Sequence, residues 1–433
     1  IGDLTGDGFD DVVFTQPTAS DSGLVNNGRV TVLFGGNESF DSSAPVVLSG
    51  TQTSELYGSA IAIGSYLGNG MTQLVLSSPG FDNTSRVGEQ NHGRVSMYEW
   101  NQTQFDVVWS VAGNHEEMLG TDVSHINDLN GDGYDDVIAL QGNWSDGSST
   151  GRLSVFEGSS DGLSLSHNIT ANTTGPFFGR SISSGGDLNG DGYGDVVVSN
   201  SGTEDSPVGY SAIEVFYGSA DGLSSSSDKI IQRLASGQLF GTVVEIIDDI
   251  NNDGMDELLV QEFSPTGAPL YSGTVHMFMG NTSENFSETP DWTSQGEGNE
   301  RFGWMFAPAG DVNDDGYADT FIGSGTSFTP SGQINLYLGS ADGFVSAVET
   351  IRTGTPSDHL GLVTLGGFDS NADGAIEFVY STRNATRGTA YGVDMITVSK
   401  QDFDTSQFTF QGEMSGLKPV SYTHLRAHET ASD

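Results

Sequence analysis

A nine-residue acidic pattern recurs seven times at nearly constant intervals, and this repetition limits the possible folds more than any other feature of the sequence. Its clearest copy, Asp187 to Asp195, reads Asp-Leu-Asn-Gly-Asp-Gly-Tyr-Gly-Asp. Because units that repeat at such a period stack on their neighbours, we expect one repeat domain rather than several independent domains. We number the copies loops 1 to 7, and they occupy residues 3–11, 65–73, 128–136, 187–195, 249–257, 311–319 and 369–377.

Each period of the repeat predicts four β-strands and no helix. A short apolar run such as Asp195 to Ser199 follows the acidic loop and is typical of a strand buried on both faces. A second run alternates apolar and polar residues, as from Ile334 to Leu338, and a weaker strand comes next. The following repeat then opens with an aromatic residue or leucine before glycine, near residues 56, 119, 178, 240, 302 and 360.

These units predict an all-β fold, a seven-bladed β-propeller of four-stranded antiparallel blades. Radial closure protects the strand edges that an open array would expose. We expect residues 1–417 to form this single propeller, with a truncated first repeat and one incomplete blade, because the chain starts at an acidic loop. Residues 418–433 break the pattern and resemble translated adapter sequence, so we expect a non-native or disordered tail.

The charge of the chain indicates cations as partners. Fourteen basic and 58 acidic residues leave a formal charge of −44, which argues against binding to nucleic acid or to an anionic membrane. No cysteine is present to form a disulfide, so bound calcium is the expected stabiliser. No apolar run approaches the roughly 18 residues of a membrane helix, and we expect no direct membrane insertion.

The acidic pattern has the residue types that calcium prefers. Calcium binds six to eight oxygen atoms of carboxylates, amides, backbone carbonyls and water. Side chains at positions 1, 3, 5 and 9 of the pattern and the carbonyl at position 7 supply them, and glycine at position 6 permits the sharp turn. Six loops satisfy the pattern, which predicts about six structural Ca²⁺ ions. The predicted ligands are Asp3, Thr5, Asp7, Phe9, Asp11, Asp128, Asn130, Asp132, Tyr134, Asp136, Asp187, Asn189, Asp191, Tyr193, Asp195, Asp249, Asn251, Asp253, Met255, Glu257, Asp311, Asn313, Asp315, Tyr317, Asp319, Asp369, Asn371, Asp373, Ala375 and Glu377.

Loop 2 departs from the pattern. It has Ser65, Leu67, Asn69 and Gln73 at positions 1, 3, 5 and 9, and it keeps Gly70. With no carboxylate, it should be a turn without a metal ion. None of the loops is an EF-hand, because an EF-hand needs an acidic residue at position 12 and flanking helices, whereas a strand follows each loop here.

The combination of motifs resembles the FG-GAP repeat family, best known from the β-propeller of integrin α subunits. Phe178-Gly179 with loop 4 and Phe302-Gly303 with loop 6 carry the resemblance, while leucine in two of the openings and the altered loop 2 depart from it. The resemblance implies a seven-bladed propeller in which calcium ions brace hairpins on one face. It also implies that ligands bind on the opposite face.

We therefore expect a calcium-stabilised binding or adhesion module of a larger surface or secreted protein, located outside the cell or at its surface. Its partner would be a protein or a glycan. Nine Asn-x-Ser/Thr sequons favour export and a glycoprotein. Two alternatives are a structural spacer in a cell-surface layer and a propeller-fold polysaccharide lyase or hydrolase-associated domain. We identify no catalytic residue, and the basic residues to be mapped for a lyase are Arg86, Arg94, Arg301, Arg383 and Arg387, while His115 and His125 are read as loop residues.

Overall fold

A computed structural model of the chain describes most of residues 1–345 and several strands beyond them. The described residues are 1–36, 45–83, 90–145, 147, 150–173, 177–202, 211–233, 239–263, 272–282, 287–296, 301–325, 332–345, 348–353, 364–368, 376–384, 390–398 and 409–413. From residue 348 onward the description covers the backbone alone. The predicted tail, residues 418–433, lies outside these ranges.

The described residues form a β-propeller of antiparallel sheets, in which strands adjacent in sequence are neighbours. The first sheet has three strands, β1 (Val12–Gln16), β2 (Arg29–Leu33) and β3 (Val46–Ser49). Four strands form each of the other six sheets. These are β4 (Ile61–Gly64), β5 (Gln73–Ser78), β6 (Arg94–Trp100) and β7 (Phe105–Ala112); β8 (Leu119–Ile126), β9 (Asp136–Ser145), β10 (Thr150–Glu157) and β11 (Ser164–Ile169); β12 (Phe178–Ser184), β13 (Val196–Asn200), β14 (Ser211–Phe216) and β15 (Lys229–Arg233); β16 (Leu239–Ile247), β17 (Glu257–Phe263), β18 (Gly273–Phe278) and β19 (Trp292–Gln295); β20 (Met305–Gly310), β21 (Asp319–Ser324), β22 (Gln333–Tyr337) and β23 (Val348–Thr353); and β24 (Thr364–Phe368), β25 (Ile376–Asn384), β26 (Ala390–Val398) and β27 (Thr409–Glu413).

The number of complete blades corrects the sequence prediction. Within the described residues the structure has six four-stranded blades rather than seven, because the sheet β1–β3 shows no counterpart there of the first strand found in the others. Gly2 and Asp11 exchange two backbone hydrogen bonds of 3.1 and 3.0 Å at the place where Ile247 pairs with Glu257 in a complete blade. One bridge therefore replaces a strand at this edge.

The hydrophobic core lies between consecutive blades. The first strands of successive sheets pack against one another, from β4 and β8 to β20 and β24. Second strands are covered on both faces, and β5 and β13 are buried along their whole length. Ile138 and Val198, from neighbouring blades, share one of the core clusters. Stacking of whole sheets explains why these strands are apolar on both faces.

The connections divide between two faces of the propeller. In the four-stranded blades, the acidic loop joins the first strand to the second, and the third strand returns towards that loop. The connection between the second and third strands, as in residues 17–28 between β1 and β2, therefore lies at the opposite end of the sheet. Within the described ranges, no helix is long and apolar enough to cross a membrane.

Candidate metal centre

The first residue of each intact described loop organises the turn. In loop 4, Asp187 Oδ1 accepts hydrogen bonds from the N–H groups of Gly190 (2.6 Å) and Asp191 (3.1 Å), and Oδ2 accepts one from Gly192 (2.8 Å). The bonds from positions 5 and 6 recur in loops 1, 3, 5 and 6. Glycine at position 6 has φ near +90°, a conformation that L side chains rarely adopt.

Positions 3 and 5 orient one another across the turn. In loop 4, Asn189 Oδ1 accepts the Asp191 N–H at 3.0 Å, and Asn189 Nδ2 donates to Asp191 Oδ2 at 3.0 Å. Asp191 Oδ1 in turn accepts the Tyr193 N–H at 3.0 Å. Hydrogen bonds within one turn therefore fix the side chains at positions 3 and 5 that are predicted to bind the ion.

Position 9 is a buried carboxylate that ties the loop to its own blade. Asp195 is fully buried, with Oδ2 accepting the Leu188 N–H (2.7 Å) and Oδ1 accepting the Gly218 N–H (2.9 Å). A Cβ at Gly218 would lie 2.5 Å from the Gly194 carbonyl oxygen, which explains the glycine that ends most third strands. The same two bonds occur at Asp11, Asp136 and Asp319, with Gly35, Gly158 and Gly339.

Burial makes the charge at position 9 costly. Desolvation raises the pKa of Asp195 and of Glu257 to about 8, with neighbouring carboxylates acting in the same direction and backbone N–H donors opposing them. The same causes raise the pKa of Asp136 to about 7 and those of Asp11 and Asp319 to about 6. A cation among these carboxylates would offset the unfavourable charge.

The geometry of loop 5 fits a calcium ion. One carboxylate oxygen each from Asp249, Asp253 and Glu257 lies within 4.8 Å of the other two. Among the described residues, this is the one group of three metal-ligating side chains with oxygens or nitrogens that close together. Two oxygens bound to one Ca²⁺ at 2.3–2.6 Å are at most about 5 Å apart. Hard oxygen donors at this spacing suit calcium. Loops 1, 3, 4 and 6 have aspartate at positions 1 and 5 as well, but at position 9 they have aspartate, which is one methylene shorter than glutamate.

Loop 2 retains the turn, and the side-chain amide of Gln73 occupies its centre. Gln73 Nε2 donates to Asn69 Oδ1 (3.2 Å), to the Met71 carbonyl (2.8 Å) and to Glu99 Oε2 (3.0 Å). The first two acceptors are at positions 5 and 7, which are predicted to bind the ion in the other loops. The nitrogen of a fully buried glutamine therefore lies among oxygens that surround the proposed ion elsewhere. Sequence reasoning did not identify Glu99, which comes from β6.

Loop 7 lies largely outside the described residues. This applies to its predicted ligands Asp369, Asn371, Asp373 and Ala375. Glu377 is in β25, where its backbone pairs with Phe368.

Position 2 is an anchor that the ligand pattern alone did not reveal. Its side chain is fully buried in each intact described loop, at Leu4, Leu129, Leu188, Ile250 and Val312. Burying one such side chain stabilises the fold by about 1.5–3 kcal/mol. The backbone at this position also reaches the next blade, since the Leu188 carbonyl accepts the Asn281 N–H at 2.9 Å. The sequence signal is that position 2 is apolar in every copy of the pattern except the aromatic Tyr66 of loop 2 and Ser370 of loop 7.

The raised pKa values give a pH dependence with a definite sign. In metal-free protein, Asp195 and Glu257 retain protons in the folded state that an unfolded chain releases near pH 4. We therefore expect the free energy of unfolding of the metal-free chain to fall as pH rises from about 5 to about 8. Calcium must displace these protons, so its affinity should rise over the same range. Urea unfolding of calcium-free protein and calcium titrations at several pH values measure both trends, and two flat profiles would contradict them.

Two of the basic residues considered for a lyase, Arg94 and Arg301, have side chains that the structure describes, and both pack against other side chains. Arg94 Nη2 lies 2.6 Å from Oε1 of the fully buried Glu55, and its guanidinium stacks on Phe81 at 4.0 Å. Arg301 is 2% exposed and lies between the rings of Phe263 and Trp304. Arg86 and Arg387 lie outside the described residues, and only the backbone of Arg383 is described.

The two histidines also have local partners. His115 Nδ1 lies 3.1 Å from the Gln90 carbonyl on an exposed loop, and His125 Nε2 lies 3.0 Å from Asn127 Oδ1. His125 also stacks edge-on against Tyr66. Desolvation lowers the pKa of His125. His115 lies in a turn, in agreement with the prediction, whereas His125 lies in β8, so the prediction of a loop residue is wrong for His125.

Comparisons with known proteins agree with the repeat pattern and the fold. A family profile described as FG-GAP-like repeat matches residues 128–198, and one described as FG-GAP repeat matches residues 1–33. Integrin alpha-3 of Cricetulus griseus is 30% identical over 156 residues, covering 34% of this chain and 14% of that protein. Integrin alpha-6 of Homo sapiens is 27% identical over 197 residues, covering 41% and 17%.

A relative of another class also matches. Phosphatidylinositol-glycan-specific phospholipase D of Bos taurus is 31% identical over 156 residues, covering 34% of this chain and 18% of that protein. The matched segments thus span less than a fifth of the length of each of these three relatives. From the repeated loops, the propeller fold and these matches, we conclude that the chain contains FG-GAP repeats and that its β-propeller is similar to that of integrin α chains.

Proposed function

We propose that this chain is a calcium-stabilised binding module of the adhesion type, part of a larger surface or secreted protein. The observation that carries the calcium proposal is the buried carboxylate at position 9. In loop 4 its charge is desolvated, and the neighbouring side chains that act on it, Asp187 and Asp191, are themselves acidic. A divalent cation bound to positions 1, 3, 5, 7 and 9 would neutralise this cluster.

The proposed ions have a structural role. In a four-stranded blade the loop joins the first two strands, so an ion there holds these strands together at their ends. Five protein oxygens per loop would also leave few coordination positions for a substrate. The repetition of the loop from blade to blade suits support of the whole propeller better than one catalytic centre.

The adhesion role is supported by similarity to integrin α chains over about a third to two fifths of this chain. We propose an extracellular or cell-surface location and a protein or glycan ligand on the face opposite the calcium loops. The hairpins on that face are stabilised by ion pairs of Arg29 with Asp21, Arg94 with Glu55 and Arg152 with Glu117. Ordered hairpins provide a preformed surface, which lowers the entropic cost of binding.

A binding screen tests this proposal. Immobilised extracellular-matrix proteins and a glycan array, probed in calcium and again in chelator, should retain the chain in calcium only. Failure to retain it on any surface would favour a structural spacer.

The face used for binding can be tested because the sequence has no cysteine. Glu116 lies on an exposed turn of the face opposite the calcium loops, and Asp161 is exposed on the loop face. We expect a large polyethylene glycol attached at Glu116→Cys to abolish ligand capture, whereas the same polymer at Asp161→Cys should leave it unchanged. Loss of capture with the second conjugate alone would place the ligand on the loop face.

A further inference from the structure

Neighbouring acidic loops contact one another at the residues that form their turns. The side chain at position 7 of one loop covers the glycine at position 4 of the preceding loop. A Cβ at Gly131 would lie 2.9 Å from Cε1 of Tyr193, and a Cβ at Gly190 would lie 3.0 Å from Cγ of Met255. The two other described contacts of this kind are Tyr134 on Gly68 and Met71 on Gly6.

Position 8 adds a second contact between loops. Asp256 Oδ2 accepts the Asp187 N–H at 2.7 Å, and the Asp256 N–H donates to the Asp187 carbonyl at 2.9 Å. Asp135 and Ser65 make the same reciprocal pair, with distances of 2.5 and 3.3 Å. In loops 2 and 4 the first residue is therefore held by the next blade as well as by its own.

These contacts involve the same residues that are proposed to surround the ions. The Met255 N–H donates to Asp253 Oδ1 at 3.0 Å, and the carbonyl of Met255 is a predicted ligand of loop 5. Its side chain lies against Gly190 in loop 4, and the next residue, Asp256, holds Asp187. Ordering residues 253–257 around an ion would thus also order Asp187 and Gly190 in the loop 4 turn.

We propose that adjacent loops are coupled in calcium binding, so that an ion in one loop increases the affinity of the preceding loop. This inference rests on the proposed calcium role. Part of the conformational entropy that loop 4 loses on binding is already lost once loop 5 is occupied, and this produces positive cooperativity. Coupling between protein sites commonly changes affinity by about 5-fold or more.

Loop 2 keeps the chain of contacts continuous without an ion. The Gln73 amide holds the Met71 carbonyl, and the Met71 side chain lies against Gly6 of loop 1. Tyr134 of loop 3 lies against Gly68. A loop that is ordered by its own side chain can therefore link loops 1 and 3 at any calcium concentration.

Hydrogen exchange measured by mass spectrometry reports each loop separately and tests the coupling. The calcium concentration that half-protects each loop peptide is measured in wild type and in Asp253→Ala, which removes a ligand from loop 5 and leaves every loop 4 residue intact. We expect the loop 4 midpoint to rise by about 5-fold or more, while that of distant loop 1 stays unchanged. Should Asp253→Ala reduce the folded fraction, Asp253→Asn provides the same comparison with a milder change.

Two substitutions at Asp256 distinguish the hydrogen bond between Asp256 and Asp187 from the effect of the Asp256 charge. Asp256→Ala and Asp256→Asn both remove one charge, but only the asparagine retains an oxygen that can accept the Asp187 N–H. We expect the loop 4 midpoint to rise in the alanine variant and to stay near wild type in the asparagine variant. An unchanged loop 4 midpoint in Asp253→Ala, or equal midpoints in the Asp256 pair, would overturn the coupling. If calcium protects no loop of the wild-type chain, the proposed calcium role itself is wrong.

Discussion

Chelation of calcium is expected to lower the midpoint of thermal unfolding by about 10 °C or more. A ligand at 100 times its Kd stabilises the folded state by about 2.7 kcal/mol per site, and the sequence has six intact loops. The loss has two parts. The strands joined at each loop lose their shared ion, and the buried carboxylates at position 9 remain beside the other acidic groups of the turn.

Differential scanning calorimetry of the same preparation with calcium, with chelator and with magnesium measures this effect. Magnesium requires a tighter octahedral set of ligands at 2.0–2.1 Å and should restore little of the lost stability. Sodium chloride at equal ionic strength controls for screening of the chain's negative charge. An unfolding midpoint that is the same in calcium and in chelator would disprove a structural role of calcium.

Gln73→Glu should convert loop 2 from a metal-independent turn into a calcium-dependent one. Gln73 is fully buried, and its amide nitrogen donates to Asn69, Met71 and Glu99. A carboxylate there removes the donor and introduces a second acidic group beside Glu99. Leaving a buried charge uncompensated costs about 3–5 kcal/mol, so we expect this loss in chelator and a substantial recovery in calcium.

A second buried glutamine provides the control for this substitution. Gln261 is also fully buried, and it donates to the Phe302 carbonyl at 2.8 Å; it lies within β17, outside the turn of loop 5. Gln261→Glu should therefore destabilise the fold to a similar degree in calcium and in chelator. Denaturant unfolding of both variants under both conditions gives the comparison. If Gln73→Glu responds to calcium no more than Gln261→Glu does, loop 2 does not retain the geometry of a cation site.

The arrangement also explains how a chain with a formal charge of −44 tolerates so many acidic groups near one another. Within each loop the carboxylates are first used as hydrogen-bond acceptors, as Asp187 is for three N–H groups of its own turn. Backbone donors offset part of the desolvation cost and lower the pKa values that burial raises. The remaining negative charge is what the proposed cations would neutralise.

The sequence by itself determined the repeat, the strands and the turn chemistry, because these depend on residues close together in the chain. The period of about 60 residues predicted the all-β propeller, and Asp-x-Asn-x-Asp-Gly predicted turns that the structure shows closing on Asp187 and its equivalents. Alternation within a strand and glycine at a tight turn are local properties. A single chain is enough to reveal them.

The tertiary structure decided what depends on residues brought together from different blades. The way the β1 edge of the three-stranded sheet ends, with Gly2 paired to Asp11, depends on which residues meet there. The place of Glu99 beside Gln73, and of Met255 over Gly190, depends on how strands and sheets stack. These partners are 26 and 65 residues apart in the chain, and no local pattern records that distance. Their contacts are set by packing in the fold, which is why the loops could be identified from the sequence and their connection to one another could not.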